Sequence, residues 1–508
     1  MSLAEVRAYT RRVLALLAVA AYLAVLLLVG LIKSRQAKGQ ASFALADRRM
    51  GLFVLVGTLL ATWTGTGSIF GQAEKAYADG LPTLILPFGP VLGFLALIVL
   101  STRVRRHGAY TLQDLLEARF GPAARVIGTV TLLVAYLVIV SYQFRAAATV
   151  LERVLEHAGW AEAGGAAGAA GAVGVRVSSV VLVALVIAIY TALAGMLSVS
   201  LTDTLTGVLM TVGLLLALPW VWHAAGGTDA VLAALPPPAR RFAPPASVFE
   251  LLSLTLPTLL LVLGDANLHA RFLSARSDRT ARAAATLLIP AVLFIDGSII
   301  LLAVGGRALL PALPQGGHVV LELALRSLPA GLGALLAATI LAIIVSTADS
   351  YLLTSATALV RDVYQRFLKP AATEAELLRA ARVLVLVCAV VALALSFTSE
   401  RYFRVAFFAY TIYGVGITPP LLAALFWPRA TPAGAVSSML AATVTAIAWQ
   451  ALDLSEPAAR ALGQPAGSVV EAVVPAALVA GVVLVGVSLL GVPVAQPSSS
   501  HRPGSGPI

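Results

Sequence analysis

The chain has 508 residues, 59% of them hydrophobic and only 12% charged, with a mean hydropathy of +0.93. A soluble domain carries about 25% charged residues, so this composition excludes a water-soluble globule and leaves the membrane as its solvent. The net charge of +11 does not argue for nucleic acid, because most of the basic residues fall between apolar segments, where membrane topology accounts for them.

A membrane-crossing helix needs about 20 apolar residues, and thirteen segments qualify. The first, 13–32, is too long for the apolar stretch of a cleaved signal peptide and reads as a retained span. Ten further helices are predicted at 51–77, 81–101, 126–155, 177–194, 201–222, 251–273, 281–304, 332–368, 380–397 and 405–427; they are the first to tenth core helices below. Two more, 434–452 and 469–490, close the series. The Gly/Ala-rich stretch 159–174 and the proline-rich stretch 235–245 read as flexible connectors. The tail from 497, rich in Ser, Pro and Gly, reads as disordered. The single cysteine, Cys388, allows no intramolecular disulfide.

An odd number of spans puts the termini on opposite sides. The dense Lys/Arg clusters at 33–49, 103–125, 271–282 and 361–382 fall in alternate loops. The positive-inside rule then predicts an inner-membrane protein with its N-terminus outside and its C-terminus in the cytoplasm.

Function is sought where polar residues break the apolar rule. The first core helix carries Thr62-Trp63-Thr64-Gly65-Thr66-Gly67-Ser68 in mid-span, and the sixth carries Gly264-Asp265-Ala266-Asn267. Small and hydroxylated residues can serve close helix packing. An interrupted helix opening each of two five-helix groups instead points to an inverted-repeat carrier with its site at the breaks. In the eighth core helix, Ser346, Asp349 and Ser350 are spaced i, i+3, i+4 and share one face, with Thr347 beside them. A carboxylate in the bilayer centre costs about 2.5–3.5 kcal/mol unless compensated, and hard cations prefer oxygen ligands, so this stretch reads as a sodium ledge, the alternative being hydroxyls bonded back to their own helix and Asp349 paired with an arginine. Asp203 sits near the start of the fifth core helix, where an N-terminal acid is also favoured by the helix dipole. Asp296, in the seventh, reads as an internal hydrogen-bond partner. Arg145, in the third, either faces a cavity and grips a carboxylate or pairs with an acid or snorkels. No HExxH, CxxC or nucleophile-elbow pattern supports an enzyme.

These residues resemble the sodium:solute symporter family. The likeness rests on Ala61–Ser68 followed by Ala73-Glu74-Lys75-Ala76-Tyr77, on Thr202-Asp203, and on Arg271-Phe272-Leu273-Ser274-Ala275-Arg276. It continues with Ser346 to Leu353, Pro419-Pro420, Phe426-Trp427-Pro428-Arg429, Thr431 and Gly434. The resemblance implies an all-α membrane protein of the leucine-transporter type. Residues 51–222 and 223–432 would form two inverted five-helix repeats, after a leader at 1–50 and before two helices at 433–496 and a tail at 497–508. It implies sodium bound between the first and eighth core helices by the carbonyls of Ala61, Thr64 and Ile343 and the hydroxyls of Ser346 and Thr347. Asp203, Asp349 and Ser350, with Ser346, would form an additional cation site; Asp349 places a charge where several members have a hydroxyl. Trp63, Thr66, Ser68, Arg145 and Asn267 are the candidate solute contacts.

The expected function is therefore sodium-coupled symport of a small organic solute, an organic acid or an amino acid, by alternating access, with no cofactor beyond Na+. The lipid bilayer is the expected partner and nucleic acid is not. A proton-coupled carrier on the same fold, with Asp349 or Asp203 as proton site, is the alternative. A passive channel or a non-transporting sensor is the alternative from another class.

Overall fold

A computed structural model describes residues 3–33, 39–159, 168–242, 247–314, 318–397, 402–465 and 468–491. The cores of both expected connectors, at 160–167 and 243–246, and the whole tail from 492 lie outside the described residues.

The described chain is built from helices. In order they are α1 (Leu3–Lys33), α2 (Leu52–Trp63), α3 (Gly67–Asp79), α4 (Phe88–Arg106), α5 (Leu112–Phe120), α6 (Pro122–His157) and α7 (Gly168–Ala224). There follow α8 (Val248–Gly264), α9 (Ala266–Ser274), α10 (Asp278–Leu309), α11 (Ala330–Leu368), α12 (Glu374–Leu395), α13 (Tyr402–Phe426), α14 (Pro432–Ala451) and α15 (Val473–Leu490). Among the described residues, ten helices are long and apolar enough to cross a membrane, or up to twelve if the bent pairs α2–α3 and α8–α9 each count as one span.

The thirteenth expected span lies inside α7. Its apolar run Val177–Ala224 has 48 residues, about 72 Å at 1.5 Å per residue, more than twice the thickness of a hydrocarbon core. Gly195 interrupts that run with φ +69° and ψ 172°, a backbone that an L side chain resists. A Cβ there would also lie 2.9 Å from the Phe43 ring. Gly195 therefore divides α7 into two limbs, corresponding to the fourth and fifth core helices.

Several segments depart from the expectations. Residues 112–120 form α5, which the apolar pattern alone does not reveal. A capping box starts it: Thr111 accepts from the Asp114 amide and Asp114 accepts from the Thr111 amide. The described part of the proline-rich connector is not slack. Pro237–Arg240 makes a helical turn, Arg240 donates to the Leu235 carbonyl at 2.8 Å, and Leu235 and Ala239 are buried. The prolines fix φ there, and the apolar residues between them have a surface to cover.

Packing arranges the breaks around one centre. α11 lies against α7, α6 and α1, while α13 lies against α8 and α6. Most of α11 from Gly333 to Ala358 is buried, whereas α15 turns Leu478, Val482 and Leu490 outward. An apolar outer surface around a polar centre is what lipid solvent demands. The starts of α2 and the end of α9 are joined by backbone bonds, Met50 N to Ser274 O and Arg276 N to Met50 O, each 3.0 Å. The two broken helices are therefore anchored to each other at one end.

Candidate functional site

The first break bends α2 against α3 by 54°. Glycines permit it by letting neighbours approach: a Cβ on Gly65 would stand 2.9 Å from Gln143 Nε2, and one on Gly67 would stand 2.6 Å from the Tyr410 hydroxyl. Gln143 of α6 meets the freed backbone by accepting from the Thr66 amide at 3.3 Å, and its Oε1 also accepts from the Thr66 hydroxyl.

Against the inner face of this break lies α11. Thr347 Oγ1 stands 3.0 Å from Thr64 O, 2.9 Å from Ile343 O and 3.5 Å from Ala61 O. Ser346 Oγ stands 3.3 Å from Ala61 O and 3.4 Å from Ile343 O. All five expected sodium ligands thus converge on one buried point. Every donor is a neutral oxygen, a set that suits a hard monovalent cation. The Thr62 and Thr64 hydroxyls are buried nearby and meet no partner among the described residues.

One turn further along α11 the chemistry changes. Arg271, fully buried on α9, donates to Asp203 Oδ2 at 3.1 Å, to the Ser350 hydroxyl at 2.5 Å, to the Thr58 hydroxyl at 2.9 Å and to Asn267. Thr58 donates to the same Asp203 oxygen at 2.6 Å. Asp349 accepts only from Ser350, at 3.2 Å, and its Oδ2 meets no partner among the described residues. Asp203 is therefore not a plain N-terminal acid; it is one half of a buried ion pair. Arg271, which the sequence assigns to a surface cluster, is the functional candidate it conceals. Only the pairing of a polar arginine with the Asp203 position across four helices brings it inside.

The second break bends α8 against α9 by 40°. Here the protein satisfies its own groups. Asp265 caps α9 by accepting from Asn267 N at 2.9 Å, and it also accepts from the hydroxyls of Tyr136 and, at 3.3 Å, Tyr351. Tyr413 of α13 donates to Gly264 O at 2.9 Å and accepts from Ala266 N at 3.1 Å. Asn267 turns its side-chain oxygen to Arg271 and to Thr354, the latter at 3.0 Å.

Of the remaining solute candidates, Trp63, Thr66 and Ser68 stand at the first break. Trp63 sets its ring edge-on to Phe94, with centroids 5.6 Å apart, and donates to Asp296 Oδ2 of α10 at 3.3 Å. Arg145 joins neither break; its guanidinium reaches the Ser396 carbonyl after α12 at 3.4 Å. A second buried ion network ties α5, α6 and the end of α11, where Arg125 meets Asp362 at 2.7 Å, Asp114 at 2.6 Å and Glu117.

Comparison with known proteins gives a consistent picture. Residues 43–442 match the sodium:solute symporter family. A sodium/proline symporter of Haemophilus influenzae is 26% identical over 460 residues, 84% of this chain and 86% of that protein. A sodium/pantothenate symporter of Escherichia coli is 27% identical over 413 residues, 78% and 82% of the two chains. Among solved structures, a Na+-coupled sialic acid symporter in a substrate-bound outward-open state superposes with a TM-score of 0.77 at 17% identity, covering 95% of this chain and 99% of that one. The architecture is the leucine-transporter type, an all-α membrane fold in which inverted five-helix repeats surround a central site.

Proposed function

The chain belongs to the sodium:solute symporter family, and from that premise we propose that one sodium, held where α2 crosses α11, organises an amino-acid-class solute at the α2–α3 break. Membership makes the protein a multi-pass membrane symporter with Na+ as its coupling ion. The solute, the ligands and the orientation are the reading advanced here.

The observation that carries it is the convergence of Ala61, Thr64, Ile343, Ser346 and Thr347. None of these donors titrates, so the ion at this cluster is a metal cation and not a proton. Bound sodium bridges α2 to α11 and holds the break in a shape fit for solute. Rocking of the two repeats, taken at 51–222 and 223–432, then exposes the site to the other side. With the N-terminus outside, the membrane potential contributes about 2.3 kcal/mol per inward charge per 100 mV.

Arg271 already supplies the positive charge that Asp203 would otherwise draw from a second sodium. Asp349, beside Ser350, is then the carboxylate at which any second sodium would be held, and the charge moved per solute reports it. The amino-acid class is favoured by the sodium/proline symporters among the relatives.

The test is sodium dependence of uptake. Ser346→Ala and Thr347→Ala should each raise the sodium concentration for half-maximal uptake about tenfold, since each removes one of five oxygens, at near-normal protein abundance. Unchanged sodium dependence in both variants would overturn the ion assignment.

A further inference from the structure

Among the described residues, five aspartates lie fully or almost fully buried in these helices: Asp203, Asp265, Asp296, Asp349 and Asp362. The protein supplies a guanidinium to Asp203 and Asp362 and a fan of hydroxyl and amide donors to Asp265. Asp349 adjoins the Arg271 network. Asp296 has no guanidinium beside it among the described residues. It sits on α10 against α2 and α3, its Oδ2 receives one long bond from the Trp63 indole at 3.3 Å, and its Oδ1 meets no partner among the described residues.

A second unpartnered oxygen lies on the neighbouring α3. Gln72 of α3 is 5% exposed, and its Oε1 also meets no partner among the described residues. The Ser68 hydroxyl and the Gln72 side-chain amide face the Asp296 carboxylate as donors from α3. Trp63, half-buried and fixed edge-on by Phe94, brings an indole beside them. A buried anionic oxygen without a partner, Asp296 Oδ1, beside the indole N–H edge at a broken helix forms a complement to a small cation that carries N–H groups. Burying an unpaired carboxylate in the bilayer interior is costly, so its retention beside a broken helix calls for a partner that arrives.

We propose that Asp296, beside the Trp63 indole, receives the protonated primary or secondary amine of the solute. This rests on the reading above that the α2–α3 break holds solute, and it narrows the substrate class to ammonium-bearing molecules with at least one N–H. A quaternary ammonium would bring charge but no donor for the carboxylate. An acylated amine would bring neither charge nor basicity. A sodium ion is the other monovalent cation that oxygen ligands attract, and the experiment separates the two.

Purified protein in sodium-containing detergent solution is titrated with L-proline, its analogues N,N-dimethyl-L-proline and N-acetyl-L-proline, and a panel of primary amino acids and neutral polyols, with binding read by thermal shift. The wild type should respond to one or more N–H ammonium solutes and bind their quaternary and acylated counterparts at least about tenfold more weakly. Asp296→Asn, which preserves shape, should weaken the ammonium solute about 10- to 100-fold, the range of a lost charge-assisted contact, while sodium alone stabilises it as it does the wild type. That sodium response shows the variant is folded.

Wild-type ammonium affinity in Asp296→Asn would overturn the proposal, as would sodium-dependent binding confined to solutes without a charged N–H group. Loss of the sodium response with solute affinity retained would assign Asp296 to an ion instead, and would also overturn it. Absence of any sodium-dependent solute response in the wild type contradicts the functional reading itself.

Discussion

The two broken helices solve the same problem in opposite ways. At the α8–α9 break the protein answers nearly every group it frees: Asp265 caps α9, Tyr413 takes both the Gly264 carbonyl and the Ala266 amide, and Tyr136 and Tyr351 close on the carboxylate. The atoms left over there are the nitrogens Asn267 Nδ2 and His269 Nδ1. At the α2–α3 break the leftover atoms are oxygens: the Thr62 and Thr64 hydroxyls, Asp296 Oδ1 and Gln72 Oε1. A membrane interior holds no bulk water to meet such groups. The first break is therefore built to receive positively charged or donor-bearing cargo, and the second is built to hold its own shape.

If that contrast is right, damage near the second break should read as lost stability and damage at the first as lost binding. The largest effect is expected for Arg271→Ala, which strands Asp203 as an unpaired buried charge. Breaking a buried pair costs about 3–5 kcal/mol, so the variant should aggregate on size-exclusion chromatography, and adding Asp203→Asn should recover part of the monodisperse protein. A well-behaved single variant with altered sodium dependence would instead make the pair part of the ion machinery. Tyr413→Phe should cost less, about 2 kcal/mol, because it orphans the Ala266 amide and removes a bond to Gly264. Thermal melting should fall while the sodium concentration for half-maximal uptake stays where it was. The smallest effect belongs to Arg145→Ala. Its long, part-buried bond to Ser396 at the end of α12 touches neither break, so solute affinity should move by less than about threefold. A large loss would return an anion-binding role to this residue.

The sequence reading reached furthest where chemistry is local. Paired interruptions in two apolar helices, and hydroxyls spaced along a third, are visible in one dimension because each violates the apolar rule at its own position. The set of five sodium-ligand candidates is what the family resemblance implies, and their oxygens lie together in the fold. What stayed hidden depends on contacts across the bundle. Arg271 looks like one more basic residue at a helix end until Asp203, 68 positions earlier, is seen beside it. Asp296 has no motif around it, and the sequence supports only the role of an internal hydrogen-bond partner; its orphaned oxygen becomes visible only when Trp63 and Gln72 are placed. α5 was legible in principle, through the Thr111–Asp114 capping box, but a helix too short to cross a membrane leaves no hydropathy signal. Gly195 likewise sits within a continuous apolar run, and only its backbone angle divides that run in two.

The central claim is that sodium binds where α2 crosses α11, independently of solute and of the charged network below it. Equilibrium binding of radioactive sodium to purified protein in the absence of any solute tests this most directly. Wild type and Asp296→Asn should show the same saturable binding, and the Ser346→Ala/Thr347→Ala double variant should lose it while eluting as a folded monodisperse protein. Saturable sodium binding of wild-type strength in the double variant would contradict the account.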